Sequence, residues 1–124
     1  MLKLVVEIYW ELSAFEILLA RHDFAGLYAK VRNSKVASKV PKLKAVTDVT
    51  RAVDLVCVCY WKEVLCLQRS AVITLLLRRR GIKAEMIIGA QQMPFRAHAW
   101  VEVENAIVND KPYVSEIYRV LDRC

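Results

Sequence analysis

Three residues in the second half of the chain have the side chains needed for thiol-dependent hydrolysis: Cys66 in VLCLQRS, His98 in FRAHAWVEVE and Asp110 in IVND. In such a reaction a thiolate attacks a carbonyl carbon, an imidazole takes and returns the proton, and a carboxylate orients the imidazole. The sequence therefore predicts a cysteine peptidase-like site with Cys66 as nucleophile, His98 as general base and acid, and Asp110 as the orienting residue.

The predicted position of Cys66 favours a reactive thiol. A helix is expected over residues 66–80, because apolar residues recur on one side and Gly81 can adopt the left-handed conformation that ends a helix. Unpaired N–H groups and the positive end of the helix dipole stabilise a thiolate in the first turn, and they can form part of an oxyanion hole. The arginine triplet at 78–80 opposes the negative end of the same helix.

The geometry between His98 and Asp110 depends on a predicted hairpin. Alternation with a period of two predicts strands over residues 84–89, 96–103 and 106–109. If residues 103–105 form a three-residue loop, position 102 pairs with position 106, and His98 lies directly opposite Asp110. Directly opposed Cβ atoms are about 4.5–5.5 Å apart, so the carboxylate would reach the ring. A two-residue loop would instead turn Asp110 to the other face.

Other residues near these motifs are assigned lesser roles. Glu102 shares a strand face with His98, but four residues along a strand is about 13 Å, which favours Asp110 as the acid. Trp100 is predicted to be a core residue. His22 precedes Asp23, the predicted N-cap of a helix, and is interpreted as structural.

Helical periodicity predicts three helices before Cys66. The first covers residues 2–20, the second follows Asp23, and the third begins after Thr47 as its N-cap and ends near Lys62. On the first helix we expect a polar stripe formed by Lys3, Glu7 and Glu11. We also expect an apolar stripe, formed by Leu4, Ile8, Leu12, Phe15 and Leu19. The third should bury Val49, Val53, Val56 and Tyr60.

The length of 124 residues accommodates one domain over residues 1–124. We expect it to be α+β, with a helical N-terminal part and basic linker over residues 1–45 and a catalytic core over residues 46–124. The net charge of +6 favours anionic partners without choosing among nucleic acid, membrane surface and acidic peptide.

A basic segment over residues 30–44 has two interpretations. Pro41 ends any helix there. The segment contains no acid and six cations: Lys30, Arg32, Lys35, Lys39, Lys42 and Lys44. The segment is either a solvated linker or a docking strip for an acidic peptide or partner protein.

The apolar N-terminus is interrupted by Glu7, Glu11 and Glu16, so we predict no membrane span, and the absence of a cleavage signal favours a cytoplasmic protein. The four cysteines are therefore expected to be reduced, with Cys57 and Cys59 as small core residues. No metal-ligand spacing or cofactor motif is recognised.

The motifs CLQRS, RRRGIKAEMIIGA, AHAWVEVE and IVND, over residues 63–110, resemble the transglutaminase-like cysteine peptidase domain of lasso peptide biosynthesis, in particular the stand-alone leader peptidase of systems with a split processing protein. The resemblance implies a papain/transglutaminase-like fold, in which a catalytic helix packs on a small antiparallel sheet. It assigns the triad to Cys66, His98 and Asp110. Asn105 and Ala106 depart from the pattern, since a glycine is expected in that turn.

The resemblance also implies a function and partners. The reaction would remove the leader from a ribosomally made precursor peptide and free the core N-terminus for macrolactam formation. A separate leader-binding protein and an ATP-dependent lasso cyclase would be partners, and no cofactor is implied. Two alternatives stay open: acyl transfer to an amine by the same triad, and a non-enzymatic basic module that binds RNA or anionic surfaces.

Overall fold

The computed structural model describes residues 2–124, and this range contains five helices and a four-stranded sheet. The predicted α+β class is confirmed. In chain order the elements are α1 (Leu2–Ala20), α2 (Phe24–Asn33), α3 (Leu43–Cys59), α4 (Cys66–Arg79), β1 (Ala84–Gln92), β2 (Phe95–Val103), β3 (Ala106–Ile107), α5 (Val114–Ile117) and β4 (Arg119–Arg123).

The sheet is antiparallel, with strand order β3-β2-β1-β4. β1 and β2 pair along their whole length, from Ala84 opposite Val103 to Gln92 opposite Phe95. After β3 the chain forms the short helix α5 and then β4, which pairs with β1. In this order β2, the strand that carries His98, lies between β3 and β1.

Helix α4 lies between the other long helices and the sheet. Every residue from Ser70 to Arg78 is buried, because α4 packs against α1, α2 and α3 as well as against β1 and β2. One hydrophobic core joins these layers and includes Leu76 of α4 and Val101 of β2. Burial of a large apolar side chain contributes about 1.5–3 kcal/mol, so this core fixes α4 relative to the strands.

The apolar stripe of α1 is confirmed by the burial of Ile8, Leu12 and Phe15. The predicted polar stripe is wrong for Glu11, which is only 3% exposed. Its carboxylate pairs with Arg79 at 2.8 Å and Lys30 at 3.0 Å. The polar side of α1 therefore faces arginines of α4 rather than water alone.

The bounds of α3 differ from the prediction. The helix begins at Leu43 with Lys42 as its N-cap, so Thr47 lies inside it, and it ends at Cys59 rather than near Lys62. No residue between Pro41 and Thr47 opposes helical backbone, which allows the earlier start. The predicted buried face is confirmed for Val49, Val53, Val56 and Tyr60.

Two predicted helix-end signals are confirmed. Asp23 caps α2, since its carboxylate accepts a 2.8 Å hydrogen bond from the Gly26 N–H. Gly81 adopts a positive φ of 81° after α4, and its N–H donates to the Arg78 carbonyl at 3.1 Å. None of the helices in residues 2–124 combines the length and the hydropathy needed to span a bilayer.

Candidate active site

Cys66 is the first residue of α4, as predicted. The N-cap residue is Leu65, which has no side chain able to accept a hydrogen bond, so the N–H groups of the first turn have no side-chain cap. Cys66 itself is half-buried. The thiol therefore lies at a helix start whose positive end is not used by a capping group.

His98 and Asp110 are in direct contact. The ring Nε2 lies 2.5 Å from Asp110 Oδ2, and both side chains are about one quarter exposed. The other carboxylate oxygen accepts a 2.7 Å hydrogen bond from the Lys111 N–H. The imidazole also stacks on Tyr118, with ring centroids 5.2 Å apart. These contacts fix the plane of the ring and leave Nδ1 as the nitrogen not engaged by the acid.

The three-residue hairpin loop is a wrong prediction. Glu102 pairs with Ile107 and Val103 with Ala106, so the loop is the two residues Glu104 and Asn105. Their φ angles are 52° and 65°. Positive φ at both positions is the geometry of a type I′ turn, whose twist matches that of the strands. The turn therefore forms without the glycine expected there.

Asp110 reaches His98 because the third strand stops early. β3 contains only Ala106–Ile107, and Val108 still donates a 3.0 Å hydrogen bond to the Val101 carbonyl. At the next position the Asn109 side chain, not its backbone, accepts from the Val101 N–H at 2.7 Å. The chain has left the strand there, so the alternation of faces no longer decides where Asp110 points.

Asn109 is a site residue that the sequence analysis missed. Its Oδ1 accepts from Val101 of β2, and its Nδ2 donates to Ser70 Oγ of α4 at 3.1 Å. Ser70 is four residues after Cys66 and lies on the same side of the helix. The amide therefore links the helix of the thiol to the strand of the imidazole. The available signal was an amide residue directly before the predicted orienting acid.

Cys66 and His98 line one small cavity of about 80 Å³, together with Tyr28. Among the hydrogen bonds of residues 2–124 there is none between the Cys66 thiol and the His98 ring. His98 lies on the face of β2 that carries Trp100, whereas Val101 lies on the opposite face and packs in the same core as α4. The structure thus brings His98 and Asp110 into contact and places Cys66 beside the same cavity.

The residues that were assigned lesser roles, Trp100, Glu102 and His22, are not in hydrogen-bond contact with His98. Trp100 is fully buried, as predicted, and its indole N–H donates to Glu102 at 3.0 Å. Glu102 also pairs with Arg123 at 3.1 Å, so both of its oxygens are engaged away from His98. His22 is exposed, with a φ of 54°, in the turn between α1 and α2.

The other cysteines differ from Cys66 in their surroundings. Burial raises the pKa of the Cys57 thiol, and burial also raises that of Cys124. Cys59 is exposed, which makes its predicted core position wrong; it follows the last buried turn of α3. No group of three or more potential ligand side chains within residues 2–124 is arranged to hold a metal ion.

Comparison with known proteins extends these observations. The model of the transglutaminase-like superfamily matches residues 10–123. The microcin J25-processing protein McjB of Escherichia coli is 36% identical over 56 residues, which represent 45% of this chain and 27% of that protein. The matched segment thus spans about a quarter of the length of this relative. No solved structure matches the chain significantly.

Proposed function

The chain belongs to the transglutaminase-like superfamily, and from this premise we propose that it is a cysteine peptidase that removes the leader peptide from the precursor of a lasso peptide. The observation that carries the proposal is the His98–Asp110 pair beside the cavity that Cys66 also lines. The similarity to a microcin-processing protein supports a peptide as the substrate.

In the proposed reaction His98 Nδ1 takes the proton of the Cys66 thiol while Asp110 holds the opposite ring nitrogen. The thiolate attacks the carbonyl carbon at the leader–core junction, and the oxyanion lies near the first-turn N–H groups of α4. His98 then protonates the departing amine, which becomes the N-terminus of the core peptide. Water, deprotonated by His98, hydrolyses the thioester and releases the leader.

The proposal includes partners and a compartment. The precursor peptide binds across the Cys66–His98 cavity, a separate leader-binding protein presents it, and an ATP-dependent cyclase uses the new N-terminus. These steps take place in the cytoplasm. Residues 1–124 act as one domain, in which residues 1–45 support a catalytic core formed by residues 46–124.

The test is cleavage of a precursor peptide by purified protein, followed by mass spectrometry. Cys66→Ala should lower the cleavage rate at least about 10³-fold, since the nucleophile is lost, and should keep the circular dichroism spectrum. Cys59→Ala is the matched control, because that thiol is exposed and does not line the cavity, and this variant should cleave normally. Undiminished cleavage by Cys66→Ala would contradict the proposal.

The products distinguish hydrolysis from acyl transfer. Hydrolysis adds one water and yields two fragments, leader and core. Transfer to an amine yields a cross-linked species with no added water. Detection of the cross-linked species as the main product would favour a transglutaminase over a peptidase with the same three residues.

A further inference from the structure

A basic groove lies at the end of α4 that is remote from Cys66. It runs between the N-terminal half of α1 and the segment that joins α2 to α3, with a volume of about 740 Å³. Five cations and one indole define this surface, which we call the basic groove: Lys3, Lys35, Lys39, Arg79, Arg80 and Trp10.

The acid in the basic groove does not neutralise it. Glu7 pairs with Arg79 and Arg80, each at 3.1 Å. Burial raises the pKa of Glu7, but hydrogen bonds from Arg80 and Arg79 outweigh burial and hold that pKa below its ordinary value. Its charge is therefore already paired. The three groove lysines form no ion pair within residues 2–124, so they leave a local positive potential.

The basic groove also has an apolar part. Trp10 is 74% exposed, and the neighbouring Val6 is 60% exposed. An exposed indole surrounded by cations matches a segment in which carboxylates flank an aliphatic or aromatic side chain. A single-stranded nucleic acid fits less well, since Trp10 is the one aromatic residue among the described residues that line the groove, and stacking of successive bases requires several.

The position of the basic groove separates it from the chemistry. Helix α4 has 14 residues, and Cys66 is its first and Arg79 its last. At a rise of 1.5 Å per residue, the two ends are about 20 Å apart. An occupant of the groove therefore leaves the Cys66–His98 cavity open to the peptide bond that is cut. About six extended residues of a bound peptide would span that distance.

We propose that the basic groove binds an acidic segment of the leader-binding protein, with an aliphatic or aromatic side chain of that segment packed against Trp10. The identity of this partner rests on the proposed function, while its chemistry follows from the charge and the exposed indole of the groove. Because the lysines are exposed, binding weakens as salt increases.

The first experiment measures binding by fluorescence anisotropy. The probes are a fluorescein-labelled peptide of alternating glutamate and leucine, its twin with glutamine for glutamate, and a labelled oligouridylate of equal charge. The acidic peptide should bind more tightly than both others. The double variant Lys35→Glu/Lys39→Glu and the single variant Trp10→Ala should each weaken its binding at least about tenfold.

The matched control is Lys44→Glu/Lys83→Glu, which changes the net charge equally at exposed lysines outside the basic groove. It should bind the acidic peptide within about twofold of the unmodified protein, since distant exposed charges are screened. An equal loss of affinity in the control would overturn the proposal, as would equal affinity for the glutamine twin. Tighter binding of the oligouridylate would assign the groove to nucleic acid instead.

Cleavage without the partner separates this proposal from the proposed function. A short peptide that spans the leader–core junction is cut in the absence of the leader-binding protein, and the rate is measured for both variants. Lys35→Glu/Lys39→Glu should keep that rate and Cys66→Ala should lose it, whereas Cys66→Ala should bind the acidic peptide normally. Normal cleavage by Cys66→Ala would overturn the peptidase function and leave the groove in place.

Discussion

The two ends of α4 differ in their partners: the C-terminal end is bonded to other parts of the fold, whereas the N-terminal end carries the thiol of the proposed reaction. Each terminus of a helix leaves backbone groups without partners inside the helix. At the N-terminus, Leu65 supplies no side-chain cap for the turn that Cys66 begins. At the C-terminus, the arginine triplet has partners on three other elements, α1, α2 and β1, and at Cys124.

The C-terminal end is dominated by Arg78. Its guanidinium donates to the Ala84 carbonyl at 2.9 Å, to Ser34 Oγ at 2.8 Å and to the Cys124 carbonyl at 2.7 Å, and it also bonds the Val31 carbonyl. Burial lowers the pKa of Arg78. These bonds join α2, β1 and the end of the chain, so this arginine connects segments that are far apart in sequence.

The N-terminal end has the opposite character. Its N–H groups have no side-chain acceptor, and the hydrogen bond that the Asn109 amide donates to Ser70 Oγ positions the strands rather than capping the helix. Donors left free beside a thiol are available to a charge that appears only during reaction. Substitutions at the N-terminal end of α4 should therefore alter the cleavage rate, and substitutions at its C-terminal end should alter the free energy of unfolding.

The largest expected effect on stability is at the C-terminal end. Arg78→Met should lower the free energy of unfolding by about 3 kcal/mol, because several buried carbonyls lose their donor. Arg32→Met is the matched control, with a loss of about 1 kcal/mol or less, because the ion pair of Arg32 with Asp122 is exposed on both sides. Urea unfolding measures both. Equal losses in the two variants would contradict the special position of Arg78.

At the N-terminal end, Leu65→Asp should slow cleavage roughly 10- to 100-fold, because the new carboxylate occupies first-turn N–H groups and repels a thiolate. The same change should stabilise the fold by about 0.5–1 kcal/mol, since it adds a cap. Leu65→Asn, a cap without charge, should slow cleavage less. Cleavage kinetics and urea unfolding are compared for the two variants. An unaltered cleavage rate in Leu65→Asp would show that the N-terminal end of α4 takes no part in the reaction.

Asn109→Ala tests the bridge between the two halves of the site. Removing the amide frees the Val101 N–H and Ser70 Oγ, and the resulting shift of strand against helix should lower kcat about tenfold with little change in KM. Asn33→Ala, at an exposed position, should leave both unchanged. A rise in KM without a loss of kcat would assign Asn109 to substrate binding instead.

The smallest expected effect concerns Glu7 and pH. Because the folded-state pKa of Glu7 is lowered, its ionised form adds stability above the ordinary value of 4.5, and this contribution is lost as pH falls through the folded pKa. Glu7→Gln should therefore cost about 1 kcal/mol near neutral pH. The difference in free energy of unfolding between Glu7→Gln and the unmodified protein should become smaller in acid. Urea unfolding near neutral pH and at acidic pH measures this difference. Glu63→Gln, at an exposed position, should show no such gap.

The sequence alone was sufficient for features that depend on neighbouring residues. The start of α4 at Cys66, the Asp23 cap and the left-handed Gly81 follow from local backbone chemistry. The apolar face of α3 follows from residue spacing. The side chains of the candidate site could also be named, because few residue types perform nucleophilic and proton-transfer chemistry.

Tertiary structure decided how the distant segments meet. The hairpin register differed by one residue from the prediction, yet Asp110 contacts His98 because the chain leaves the sheet at Asn109. Local spacing contains no information on where a strand stops pairing. The burial of Glu11 and the roles of Arg78 and Asn109 likewise depend on segments brought together only by packing of the core, which no local pattern specifies.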